Sequence, residues 1–173
     1  KLAQKHVQNF KPYRIKERYD KVYVGHAQLQ AKLNNKELGV TGTNGYGIVE
    51  QKDIMPYLNE AMSLSSLGEH QKAIDIYRRF FVKELFEECP DMNIHQIIAV
   101  NYANELNSIR KADEALQIIL TISTAKDKSV EYYVNLSNIY ISLLDFDKCV
   151  EVSQEGLKLY PNNIYLIGNQ TVG

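Results

Sequence analysis

The sequence predicts an all-α chain of antiparallel helical hairpins stacked side by side, and three observations predict it. The segments "LGEHQKAIDIYRRFF", "IRKADEALQIILTI" and "LLDFDKCVEVSQEGL" superpose on Ala73, Ala115 and Cys149, so the chain repeats itself. The same register sets Ala61, Ala103 and Ser137 against one another twelve residues earlier, which gives every unit two small positions where helices can approach closely. Within a unit the apolar residues recur at helical period, as at Tyr133, Leu136, Tyr140 and Leu144 and again at Phe146, Val150 and Leu157, so each unit is a pair of helices.

Composition agrees. The 173 residues are 45% hydrophobic and 24% charged, the balance of a globular protein. No run approaches the roughly 18 apolar residues of a membrane span, and no secretory leader opens the chain, so a cytoplasmic location is expected. Cys89 and Cys149 lie 60 positions apart with neither a CxxC pair nor a histidine at ligand spacing; they read as reduced thiols, with no disulfide framework and no zinc site. The missing first methionine and the ending "IGNQTVG" in mid-pattern read as a piece cut from a longer chain.

Residues 1–36 hold nine Lys/Arg against Glu17 and Asp20, and the remainder eleven against nineteen. That split fits a basic arm for nucleic acid, anionic lipid or an acidic partner, or a basic helix docked on its own acidic neighbour. Nucleic acid and membrane are not the expected partners.

In chain order, "YRIKERYDKVYVGHAQLQAKLNNKELG" reads as a helix or a broken pair of helices ending near Gly39, and "VTGTNGYGIV" as a loop or short hairpin. Together they make residues 1–50 a basic helical cap with a Gly-rich loop. Asp53 is the expected N-cap of the next helix, with Pro56 in its first turn, and Gly68 breaks the first pair. Units then fall at about 53–90, 94–127 and 130–163, within a span of 51–163. The first spacing of 42 exceeds the second, 34; a longer second helix through "VKELFEE" and the linker "CPDMN" absorbs the excess. Pro90 follows that helix, Pro161 with "NN" closes the last unit, and residues 164–173 start a further helix that the chain truncates.

The segment "YYVNLSNIYISLLDFDKCVEVSQEGLKLYPNN" closely resembles a tetratricopeptide repeat. Counting from Val130, the large aromatic is Tyr133, the leucine and small pair Leu136 and Ser137, the next aromatic Tyr140, the small residue of the second helix Cys149 and the terminal proline Pro161. The middle unit departs from the pattern, with Arg110 and Ala112 at the turn. The resemblance implies a right-handed superhelix of about three repeats plus an N-terminal cap, whose inner wall is formed by the first helix of each pair.

In the first helices the core stripe falls at repeat positions 4, 7, 8 and 11, while positions 2, 6, 9 and 13 point the opposite way. The latter are Met55, Asn59, Met62 and Ser66; Ile97, Asn101, Asn104 and Ser108; and Glu131, Asn135, Asn138 and Ser142. Position 6 is asparagine in all three units. An asparagine amide both donates and accepts, so such a ladder can hold the backbone of an extended peptide; several tetratricopeptide proteins use inner-wall asparagines in this way. The same residues read also as a solvated helix face, or as contacts between helices, and Met62 as an adaptable apolar contact or as packing on the next unit. A clamp for a chaperone C-terminal carboxylate would need Lys or Arg where this chain has Met55, Leu58 and Asn59, Ile97, Val100 and Asn101, and Glu131, Val134 and Asn135.

Catalytic patterns are absent from the sequence. His6, His26, His70 and His95 stand alone and read as surface or interface histidines. "GTNGYG" lacks the lysine and Ser/Thr of a phosphate loop. Glu84, Glu87 and Glu88 share one helix face and read as solvated, and Tyr77, Tyr133 and Tyr140 fall on packing positions.

The expected function is a protein–protein interaction module that binds a peptide or partner protein in its groove. It uses no cofactor, no metal and no catalytic step, and its residues are Asn59, Met62, Ser66, Asn101, Asn104, Ser108, Asn135, Asn138 and Ser142. The alternative is an accessory or regulatory domain of a larger enzyme or signalling protein. Self-association through the apolar face after Pro161 stays open.

Overall fold

The computed structural model describes Lys21–Val24 and residues 47–172. Strands β1 (Lys21–Val24) and β2 (Gly47–Glu50) pair antiparallel, Lys21 opposite Glu50 and Val24 opposite Gly47. The helical reading of the N-terminal cap therefore fails at β1. "KVYV" is rich in β-branched and aromatic residues that favour strand, and "GIVE" supplies a partner edge for its backbone. The rest of the cap, including the Gly-rich loop before residue 47, His6 and His26, lies outside the described residues.

β2 leads directly into helix α1 (Gln51–Ser66). Asp53 is thus inside the first turn rather than at the N-cap, and Pro56 lies within the helix. Helices α2 (His70–Phe80) and α3 (Lys83–Glu88) follow, then α4 (Asn93–Ser108), α5 (Ala112–Leu120), α6 (Val130–Ser142), α7 (Phe146–Leu159) and α8 (Ile164–Asn169). Ser129, Asp145 and Asn163 cap α6, α7 and α8 with side-chain oxygens that accept from backbone N–H groups of the first turn.

One turn, built three times, folds each hairpin. Gly68, Arg110 and Leu144 have φ of 78°, 65° and 60°, and they stand at the same 42- and 34-residue spacing as the small core positions. In each case the next residue donates its N–H to a carbonyl five positions back, Glu69 to Leu64, Lys111 to Leu106 and Asp145 to Tyr140, all at 2.9 Å. This is the Schellman closure, in which a left-handed residue satisfies the last carbonyls of a helix. Glycine adopts it freely; Arg110 and Leu144 adopt it at a cost, because their Cβ crowds the backbone. The hairpin pattern thus persists where the glycine signal is missing.

The expected long second helix of the first unit is broken. α2 ends at Phe80, Phe81 and Val82 are extended, and α3 starts anew at Lys83. The buried stripe of α2 runs through Ala73, Tyr77 and Phe80; continued at helical period it would bury Glu84, Glu87 and Glu88. The break resets the phase, so that Leu85 and Phe86 are buried and the three glutamates face solvent. Phe86 then meets Phe81 edge-on, with ring centroids 4.9 Å apart, and Phe81 meets Tyr102 of α4.

The small positions pack as their spacing requires: Ala61, Ala73, Ala103, Ala115, Ser137 and Cys149 are all fully buried. Both cysteines are buried and neither is in a disulfide, and burial raises the thiol of Cys149 above the ordinary range. Tyr77, Tyr133 and Tyr140 are buried in the shared core, and burial pushes the Tyr133 hydroxyl up to about 12. Gly156 of α7 sits where a Cβ would come within 2.8 Å of Tyr133 Cβ and of Leu166, so α6, α7 and α8 meet closely there.

First helices α1, α4, α6 and α8 touch in series, and each second helix packs on the first helix of its own hairpin and of the next, as α2 does on α1 and α4. The first helices α1, α4, α6 and α8 therefore form one continuous layer, with a common face on the side away from α2, α5 and α7.

Candidate functional site

Repeat periodicity places the predicted residues on this common face, and exposure agrees. Asn59, Met62, Ser66, Ser108 and Ser142 are exposed; Asn101, Asn104, Asn135 and Asn138 are half-buried between neighbouring helices. The serines share one geometry. Ser66 Oγ donates to the Met62 carbonyl at 3.1 Å, Ser108 to Asn104 at 2.9 Å and Ser142 to Asn138 at 3.2 Å. Such back-bonding to the i−4 carbonyl uses the hydroxyl proton, which leaves each serine an acceptor toward solvent.

The asparagines divide into two sets. Among the described residues the side-chain amides of Asn59, Asn104 and Asn135 make no hydrogen bond, so both donor and acceptor are open. Asn101 Nδ2 donates to the Ile97 carbonyl of its own helix at 2.8 Å. Asn138 Oδ1 accepts from Asn169 Nδ2 of α8 at 2.8 Å, and the same amide donates to Ser137 Oγ at 2.8 Å. Asn138 therefore points from the third first helix toward the next one, where half of its hydrogen-bonding capacity ties α6 to α8.

Two features on this layer escaped the sequence reading. Asn169 stands 34 residues after Asn135 and Tyr165 34 after Glu131, so the repeat spacing alone could have added them to the face; Tyr165 is exposed and Asn169 half-buried. The second feature is Glu105, 2% exposed, whose carboxylate accepts from Ser65 Oγ and lies 2.7 Å from His70 Nδ1. This clasp joins the α1–α2 turn to α4. Its charge adds to burial in raising the hydroxyl of Tyr77 far above its ordinary range. A charged residue between Ala103 and Leu106 was the available signal.

His95, expected as a surface or interface histidine, is not at the surface: it is fully buried. Its ring stacks on Phe86, centroids 4.2 Å apart at 15°. Nδ1 lies 2.7 Å from the Cys89 carbonyl, and Nε2 is buried without a partner. Burial, opposed in part by the Cys89 hydrogen bond, lowers its pKa to about 4, so at neutral pH it is an uncharged Nδ1–H donor. His70 lies at the interface between hairpins, as expected. No group of three His, Cys, Asp or Glu able to hold a metal, and no helix long and apolar enough to cross a membrane, occurs among the described residues.

Comparison with known proteins places this architecture. Residues 130–163 match the family model for the tetratricopeptide repeat. No curated protein sequence matches the chain. Among solved structures, the first TPR domain of human RPAP3 is similar at a TM-score of 0.56 and 14% identity, covering 68% of this chain and 86% of that one. YrrB, described as a TPR protein with an unusual peptide-binding site, is similar at 0.53 and 18% identity; the match covers 84% of this chain and 63% of YrrB. MamA from Desulfovibrio magneticus RS-1 is similar at 0.54 and 15% identity, over 98% of this chain and 77% of that one. Identities this low establish the fold. Residues 130–163 thus match a tetratricopeptide repeat, and with the stacked hairpins around them the chain has the fold of a tetratricopeptide-like helical-repeat domain.

Proposed function

We propose that the common face of α1, α4, α6 and α8 is a groove that binds an extended peptide or a peptide segment of a partner protein. The observation that carries this reading is the set of open amides at Asn59, Asn104 and Asn135, one on each of three consecutive first helices. A peptide laid across those helices meets a donor and an acceptor on each, so its backbone is held with little demand on its side chains. Serines 66, 108 and 142 add acceptors, and Met62, 37% exposed, adds an adaptable apolar contact. The similarity to YrrB, whose description names a peptide-binding site, supports the same reading.

The test uses a variant in which Asn59, Asn104 and Asn135 become alanine together. Their side-chain amides make no hydrogen bond among the described residues, and the backbone carbonyls that Ser63 and Ser108 bond are kept by alanine, so the stack should keep its helical circular dichroism and melting temperature. Affinity capture from the source cell should lose specific partners with the variant that the intact chain retains. Equal retention by both proteins would remove the groove from consideration.

A further inference from the structure

The proposed groove is almost free of charge, and that narrows its occupant. Across α1, α4, α6 and α8 the fourteen positions of the common face carry amides, hydroxyls, apolar side chains and one charged residue, Glu131. At the 24% charge of the whole chain, about three would be expected. A charged side chain brought against such a wall loses hydration and finds no counter-charge. An uncharged segment loses less, and the amides replace what its backbone gives up.

At the α8 end of the face, side chains of adjacent helices hold one another. Asn169 Nδ2 is fixed at 2.8 Å on both Ser137 Oγ and Asn138 Oδ1, which leaves Asn169 Oδ1 as an acceptor and Asn138 Nδ2 as a donor on adjacent helices. An amide held in place by another amide loses little freedom on meeting a ligand. Tyr165, 63% exposed, adds a flat apolar surface one turn earlier on the same helix face.

We infer that the groove takes an extended polypeptide segment without charged side chains along its length, with the Asn138–Asn169 pair as a fixed donor and acceptor and Tyr165 as an apolar contact. The inference rests on the groove reading above. Without charge steering, its affinity is nearly independent of salt.

A random-peptide library panned on the whole chain and on the Asn59, Asn104 and Asn135 triple-alanine variant tests both levels. The expected result is peptides enriched by the intact chain only, uncharged at their centres. Placing Asp or Lys at two central positions should weaken them about tenfold or more, and Tyr165→Ala several-fold, while salt changes affinity less than about twofold. Peptides lost from the variant yet charged at their centres and strongly salt-dependent would overturn the inference and leave the groove standing. Equal affinity of the selected peptides for Tyr165→Ala would remove the α8 end. Peptides bound alike by variant and intact chain, or no enrichment at all, would overturn both.

Discussion

Lowering the pH should unfold this protein through one buried ring. His95 is fully enclosed, its Nδ1 faces the Cys89 carbonyl at 2.7 Å and its Nε2 has no partner. A second proton would put an N–H and a positive charge at Nε2, with nothing to receive either. The folded pKa is accordingly about 4 against an ordinary 6.5. Between those values the unfolded chain binds a proton that the folded chain refuses, so stability falls as pH falls through the window. At about 1.4 kcal/mol per pH unit the full loss by pH 4 is about 3 kcal/mol, of which about 2 kcal/mol is gone by pH 5. Urea denaturation followed by circular dichroism at about pH 7.5 and about pH 5 measures it, beside His95→Phe. Phenylalanine retains the stack on Phe86, and the Cys89 carbonyl keeps the Met92 N–H at 3.3 Å. The variant should lose about 2 kcal/mol less than the original between the two pH values, since carboxylates and the remaining histidines titrate alike in both. Equal losses in the two proteins would refute the argument.

Other substitutions have definite signs. Gly156→Ala drives a methyl within 2.8 Å of Tyr133 Cβ, which lies too near the backbone to rotate away; overpacking of about 1–3 kcal/mol, less about 1 kcal/mol of improved helix propensity, should leave a net loss of up to about 2 kcal/mol in urea denaturation. Leu144→Gly should act the other way. It relieves a side chain held at φ 60° and 73% exposed, for a net gain of about 0.5–1 kcal/mol after the entropy of glycine in the unfolded chain, visible as a raised melting temperature. Glu105→Ala removes the acceptor shared by Ser65 and His70 and should cost about 2–3 kcal/mol. Amide hydrogen exchange should then quicken first at the seam between α1–α2 and α4.

Spacing made the stack legible. Ala61, Ala73, Ala103, Ala115, Ser137 and Cys149 follow from self-alignment alone because close helix crossings tolerate nothing large, and all six are buried. Where the sequence misled, a local pattern was overruled by packing. The helical period through "VKELFEE" was real, but its phase would have buried glutamates, so two extended residues break it. His95 looked solitary because a ring that stacks on Phe86 and bonds a backbone carbonyl leaves no partner motif in sequence. "KVYV" lies among lysines, arginines and glutamates that suit a helix, and its strand partner is more than twenty residues away. For the candidate site, periodicity nominates a face, but which asparagines are open and which are tied to α8 depends on side-chain geometry that no spacing encodes.

The most direct test of the central claim is an NMR titration of the chain with a library-selected uncharged peptide, following the asparagine side-chain amide signals. The amides of Asn59, Asn104 and Asn135 should shift in step with peptide concentration, while that of Asn162, in the turn before α8, stays still. Shifts confined to α2, α5 and α7, with the three amides unmoved, would contradict it.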